Sequence, residues 1–161
     1  MQFAVGQHIV HPKYGLGIVN RIETAELLGG KSRCLKIHFP RHNTHLLVPV
    51  EKAAELNMRA PIETSEVKEV LRTLRRRARA LGRLRPRERV KIFRPLVAQG
   101  RPADLAAVVR DLGRLAQAKR LTDEEAEMLE TALRTLTREM ALAQGKEPVA
   151  VRAEIEHILD R

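Results

Sequence analysis

The sequence predicts an α+β chain of two domains. A small, strongly bent sheet or SH3-like barrel spans residues 1–60, and a compact all-helical domain of about five helices spans residues 61–161. Three observations predict it. The 161 residues suffice for one ordinary domain or two small ones. Apolar residues alternate with a period of two before residue 60 and recur at helical spacing after it. The change falls at Met58-Arg59-Ala60-Pro61, where proline turns the preceding residue away from helix.

In the first domain, His8–Val10 and Gly17–Glu23 read as strands around the turn Pro12-Lys13-Tyr14-Gly15. Gly29-Gly30 is a natural hairpin turn and leads into Ser32–Phe39. There Leu35, Ile37 and Phe39 alternate with Cys34, Lys36 and His38, which assigns the first set to a core and the second to the other face. After a polar turn at Arg41-His42-Asn43-Thr44, Leu46-Leu47-Val48-Pro49 reads as a further strand. Its dull reading is an ordinary core strand. Its functional reading is a sheet edge that another protein's sheet extends.

The helices carry clearer signals. Thr64 is placed to cap a helix whose stripe is Val67, Val70, Leu71, Leu74, Ala78 and Leu81, with Gly82 as its stop. Pro86 suits the first turn of a second helix containing Val90, Ile92, Phe93, Leu96 and Val97, stopped at Gly100. Pro102 opens a third, with Leu105, Val108, Val109, Leu112 and Leu115 inward. Thr122-Asp123-Glu124-Glu125 is a capping box for a fourth that runs to about Ala143, and Pro148 begins a fifth with Val151, Ile155 and Ile158.

Composition excludes several classes. No apolar run is long enough for a membrane span, and the first residues have neither a basic nor an apolar signal region, so the expectation is a soluble cytoplasmic protein with no membrane partner. One cysteine, Cys34, makes neither an internal disulfide nor a cysteine-rich zinc site. With no Trp, one Tyr and three Phe, platforms that stack bases on aromatic rings are disfavoured.

The net charge of +10 instead points to a polyanion held through its phosphates. The excess is focused. Residues 72–101 carry 12 Lys or Arg against one acid, whereas residues 102–161 carry 9 against 12. Arg72, Arg75, Arg76 and Arg79 fit a solvated helix face, but Arg83, Arg85, Arg87, Arg89, Lys91 and Arg94 continue the run across a helix junction. Self-repulsion on that scale costs stability unless a polyanion offsets it.

Other motifs fall to their plainer readings. His8/His11 and His42/His45 share an H-x-x-H spacing, but positions i and i+3 of a strand face opposite ways, so no metal is expected. Gly15-Leu16-Gly17 lacks the third glycine and following helix of a phosphate loop. Two serines, Ser32 and Ser65, offer no triad, so neither an enzyme nor a cofactor is expected.

Phe3-x-Val5-Gly6-x-x-Ile9-Val10-His11-Pro12-x-Tyr14-Gly15-x-Gly17, then Ile22-Glu23, Gly29, Val48-Pro49-Val50 and Met58-Arg59, resemble the N-terminal module of the CarD/CdnL family. Ala106-x-Val108-Val109-Arg110-Asp111-Leu112, Leu121-Thr122-x-x-Glu125-x-x-Met128-Leu129 and Glu139-Met140-Ala141-Leu142-Ala143 resemble its helical part. The resemblance implies a Tudor-like domain that binds the β subunit of bacterial RNA polymerase and a helical domain that touches promoter DNA without reading its sequence. On it, Leu46, Leu47, Val48 and Pro49 are assigned to the polymerase, and Arg87, Arg89 and Lys91 to DNA phosphates. Pro86 stands where many members carry a tryptophan that wedges into DNA, and Ala25 and Leu47 stand where some use arginine against the polymerase. The expected protein is a monomeric initiation regulator, associated with the nucleoid through polymerase. The alternative is a docking adaptor whose Arg-rich helices meet an acidic protein, and a general RNA binder is a third reading.

Overall fold

The computed structural model describes residues 2–27 and 29–161. The chain divides into two compact units, Met1–Pro61 and Ile62–Arg161. In the first, β1 (His8–His11), β2 (Gly15–Leu27), β3 (Gly30–Phe39) and β4 (Thr44–Pro49) form one antiparallel sheet in sequence order, a four-stranded half-barrel. Two strands are longer than their alternation suggested, because β2 and β3 continue pairing out to Leu27 and Gly30 beyond the core. Gly29 and Gly30 make that hairpin with φ of 97° and 130°, a region closed to side chains with a Cβ. A register shift between Val19 and Arg21 bends β2.

Ile9, Val19, Leu35, Ile37, Phe39 and Val48 fill the core of this unit, with Ala53 and Met58 from the chain after β4. The alternation along β3 holds except at Cys34, which is buried on the opposite face. Gly17 lies against Phe39 so closely that a Cβ there would stand 2.7 Å from two ring carbons and 2.9 Å from the His38 carbonyl oxygen.

The second unit contains α1 (Thr64–Arg75), α2 (Pro86–Gln99), α3 (Pro102–Ala118), α4 (Asp123–Gln144) and α5 (Pro148–Leu159). Prolines open α2, α3 and α5, where the missing N–H has no intrahelical partner to lose. Leu74, Phe93, Leu112, Leu136, Met140 and Ile155 are fully buried in one core. Thr122 Oγ1 accepts from the Glu125 N–H, and the Glu125 carboxylate accepts from the Thr122 N–H, so the capping box forms at α4.

Two details of α1 differ from expectation. Glu63, not Thr64, is the N-cap residue; its N–H donates to Glu66, while the Thr64 hydroxyl donates 3.0 Å to the Ala143 carbonyl. The helix also stops at Arg75 instead of continuing to Leu81. The cause lies outside it: the Arg79 N–H donates to the Asp111 carboxylate at 3.1 Å, so residues 76–85 leave the helical path and Leu81 buries itself separately. Among the described residues, no helix is long and apolar enough to cross a membrane.

Candidate docking edge and nucleic-acid interface

Two surfaces carry the expected site residues. In the first unit, β4 ends the strand order, and among the described residues no other strand pairs with its outer side. The opposite end of the sheet is different. There the Val10 N–H and carbonyl exchange hydrogen bonds of 2.7 and 3.1 Å with Arg59, which occupies the edge of β1. Of the two end strands, β4 is therefore the one whose outer side is unpaired, and β2 beyond Val19 and β3 before Cys34 also lack a second neighbour among the described residues.

The register separates the four residues assigned to docking. Leu46 and Val48 stand opposite Ile37 and Leu35, and both pack into the core, Val48 at 4% exposure. Leu47 and Pro49 stand opposite Lys36 and Cys34 on the other face, and Leu47 is 41% exposed. Leu46 and Val48 thus hold the strand in place, and of the four only Leu47 and Pro49 present side chains on the face away from the core.

The histidines take structural positions. His11 Nδ1 accepts from the N–H groups of Lys13 and Tyr14 at 3.0 and 3.3 Å. Burial, and then the Lys13 charge, hold this imidazole below its ordinary pKa, which keeps the accepting lone pair. His38 and His45 stack across β3 and β4 with ring centroids 4.5 Å apart. Among the described residues, no three His, Cys, Asp or Glu side chains gather as a metal site.

In the helical unit, Arg87 and Lys91 share one exposed face of α2, four residues apart, and Pro86 is exposed at its start. Arg89 is elsewhere. It is 4% exposed and forms a buried ion pair with Glu125 on α4, while its guanidinium also donates to the carbonyls of Leu81 and Leu84. A side chain so enclosed cannot reach a phosphate, so Arg89 leaves the expected contact set. Its position was legible in one respect: it precedes Phe93 by four residues and so shares the apolar stripe of α2.

The cations that remain fall into two groups. Arg72, Arg79, Arg94 and Arg101 pair with Glu69, Asp111, Glu124 and Asp104. Arg75, Arg76, Arg77, Arg83, Arg85, Arg87 and Lys91 are exposed and make no ion pair among the described residues. Most of them lie on or next to the irregular segment 76–85, which the sequence read as helix as far as Leu81. Burial raises the Glu125 carboxyl, but the bonds from Arg89 and the Thr122 N–H outweigh it and hold the carboxyl below its ordinary pKa. Asp111 is held low in the same way by Arg110 and Arg79, against its own burial.

Residues 3–62 match the family model described as CarD-like/TRCF RID domain, and residues 66–156 match the one described as CarD, C-terminal domain. The chain belongs to the CarD family. It is also 30% identical over 144 residues to a protein of Bacillus subtilis (strain 168) named "Putative transcription factor YdeB", covering 89% of this chain and 93% of that one. The CarD family is one of transcription factors, not of enzymes. This CarD-family chain is accordingly a transcription regulator, and the two matched ranges cover most of its half-barrel unit and of its five-helix unit.

Proposed function

We propose that the first unit docks on the β subunit of bacterial RNA polymerase through the β4 edge, and that the exposed cations of the second unit hold promoter DNA by its phosphates, modulating initiation. The observation that carries the reading is the pairing of a free sheet edge with a row of unpaired cations in the same chain. Edge main-chain groups supply affinity for an added strand, and Leu47 and Pro49 supply the side-chain contact. Docking raises the local concentration of DNA, so each phosphate contact can be weak by itself. Phosphate contacts position a protein without reading sequence, so no base preference is expected of this surface.

On this reading, changing Arg83, Arg85, Arg87 and Lys91 together to Ala weakens binding of the intact chain to duplex DNA about tenfold. It also flattens the slope of log K against log salt by roughly 0.9 for each phosphate no longer neutralised. Titrations at several salt concentrations measure both. An unchanged slope would remove these residues from the interface. A second change, Leu47→Glu, leaves the core untouched and is expected to weaken binding to the isolated polymerase β subunit about tenfold. Equal affinity of the two proteins would show that β4 is not the docking edge.

One observation favours the adaptor reading as a second possibility. At the start of α2 the chain exposes only the small ring of Pro86 between Arg85 and Arg87. Under that reading promoter DNA leaves hydrogen exchange of residues 72–101 unchanged in the polymerase complex, and an acidic protein surface protects them instead.

A further inference from the structure

Burying a charge costs several kcal/mol per ion even when it is paired. The helical unit has four buried ionisable side chains among its described residues: Arg89, Asp111, Glu125 and Glu139. Glu139 accepts from the Ile62 N–H at the start of the unit. The other three, one each from α2, α3 and α4, serve the segment between α1 and α2.

Asp111 takes both the main-chain N–H of Arg79, at 3.1 Å, and its Nε, at 2.7 Å. Arg110 braces the same carboxylate at 2.8 Å and reaches the Thr73 carbonyl at the end of α1. Farther along, Arg89 donates to the carbonyls of Leu81 and Leu84 while Glu125 holds its Nε. Lys119 donates to the Gly82 carbonyl. The segment is thus fixed at residues 79, 81, 82 and 84, and Leu81 is buried beneath it. Between and beside those fixed points stand the exposed Arg76, Arg77, Arg83 and Arg85.

A hydrophobic anchor at Leu81 would be enough to close a ten-residue connection. Three buried charges do something an apolar contact does not: they fix main-chain direction, through donors and acceptors, at defined residues. Free arginines so close in sequence repel one another, and a loose segment would let them spread. Holding them in one arrangement removes the ordering cost from the moment of binding.

We propose that Asp111, Arg89 and Glu125 are positioning residues, which hold segment 76–85 in the arrangement where Arg76, Arg77, Arg83 and Arg85 meet duplex DNA. The inference rests on the DNA reading above and assigns the contact chiefly to this segment, with the exposed face of α2 as its continuation.

The test is a double-mutant cycle on the full-length chain, read by titration against a labelled duplex of mixed sequence. Asp111→Asn keeps an acceptor for the Arg79 N–H and removes the charge. Glu125→Gln keeps the cap of α4, because glutamine serves a capping box as well. Far-UV dichroism establishes that each variant is folded at the assay temperature, and Asp111→Asn carries the test if Glu125→Gln is not. Each change is expected to weaken binding about fivefold in the native background. In a chain with Arg76, Arg77, Arg83 and Arg85 all changed to Ala, the same change is expected to cost less than twofold. A merely structural role would give the same fold-change in both backgrounds, and that result, or no effect in either, would overturn the inference alone. If the four-alanine chain binds DNA as tightly as the native one, with the same salt slope, the DNA reading of the segment falls and the inference falls with it.

Discussion

Arg89→Met is expected to destabilise the helical unit by about 3–5 kcal/mol, the cost of leaving a buried carboxylate without its partner. For a unit of this size that corresponds to a fall of more than ~10 °C in melting temperature, followed by helical dichroism. Methionine fills most of the volume, so the loss is electrostatic. Glu125 has no solvent exposure, and without Arg89 it keeps the Thr122 N–H and hydroxyl as partners.

The pH dependence identifies the cause. In the native chain the Glu125 carboxyl is held low, so its contribution is complete above the ordinary glutamate pKa of about 4.3 and is lost as pH falls through the lower folded value. In the variant, burial acts unopposed by Arg89 and raises the carboxyl, which then protonates on mild acidification and sheds its penalty. The stability gap between the two proteins therefore narrows from pH 7 toward pH 4. A constant gap would mean that only the carbonyl contacts of Arg89 mattered. Adding Glu125→Gln to Arg89→Met is expected to restore at least ~1 kcal/mol at neutral pH, since the orphaned charge is gone.

The second large effect is in the half-barrel. Gly17→Ala is expected to cost that unit about 2–3 kcal/mol, measured by urea denaturation of the full chain with a probe on the half-barrel. The new methyl would meet two carbons of the Phe39 ring and the main-chain oxygen of His38, and neither can withdraw without moving β3. Gly113→Ala provides the comparison. Its nearest obstacle, at 2.8 Å, is the end of the Leu159 side chain, which has rotamers to spare, so the helical unit should lose less than half as much. Equal losses would mean that the sheet yields as easily as a side chain.

Much of this architecture could be read from residue order. Leu35, Ile37 and Phe39 announced their face by alternation, and the Thr122–Glu125 box and the prolines at 86, 102 and 148 marked helix starts within a residue. These signals act over a few residues, and so sequence displays them. The end of α1 was not legible, because it is set by Asp111, 32 residues away from Arg79, and local propensity has no term for that contact. Cys34 broke the alternation for a related reason, being covered on the face that the pattern leaves to solvent.

At the candidate site the charge run was plain, but its division was not. Net charge counts Arg89 and Arg87 alike, while the fold buries one and exposes the other. Their spacing to Phe93 distinguishes them, a geometric cue hidden inside what reads as a uniform basic stretch. Strand β4 was similar: its four residues were assigned together, and only the register shows that Leu47 and Pro49 face away from the core.

The Arg59 bridge on β1 also limits how the sheet can grow. A sheet with two open ends can grow in both directions, which is how strand pairing runs on into fibres. Here the β1 end is a four-residue strand with Val10 already engaged by the chain's own return, so strand addition is checked at that end, while β4 and the projecting β2–β3 hairpin keep unpaired outer sides among the described residues. A strand added at β4 thus meets, across the sheet, an end already closed at Val10, and growth through both ends of the sheet is checked by the chain itself.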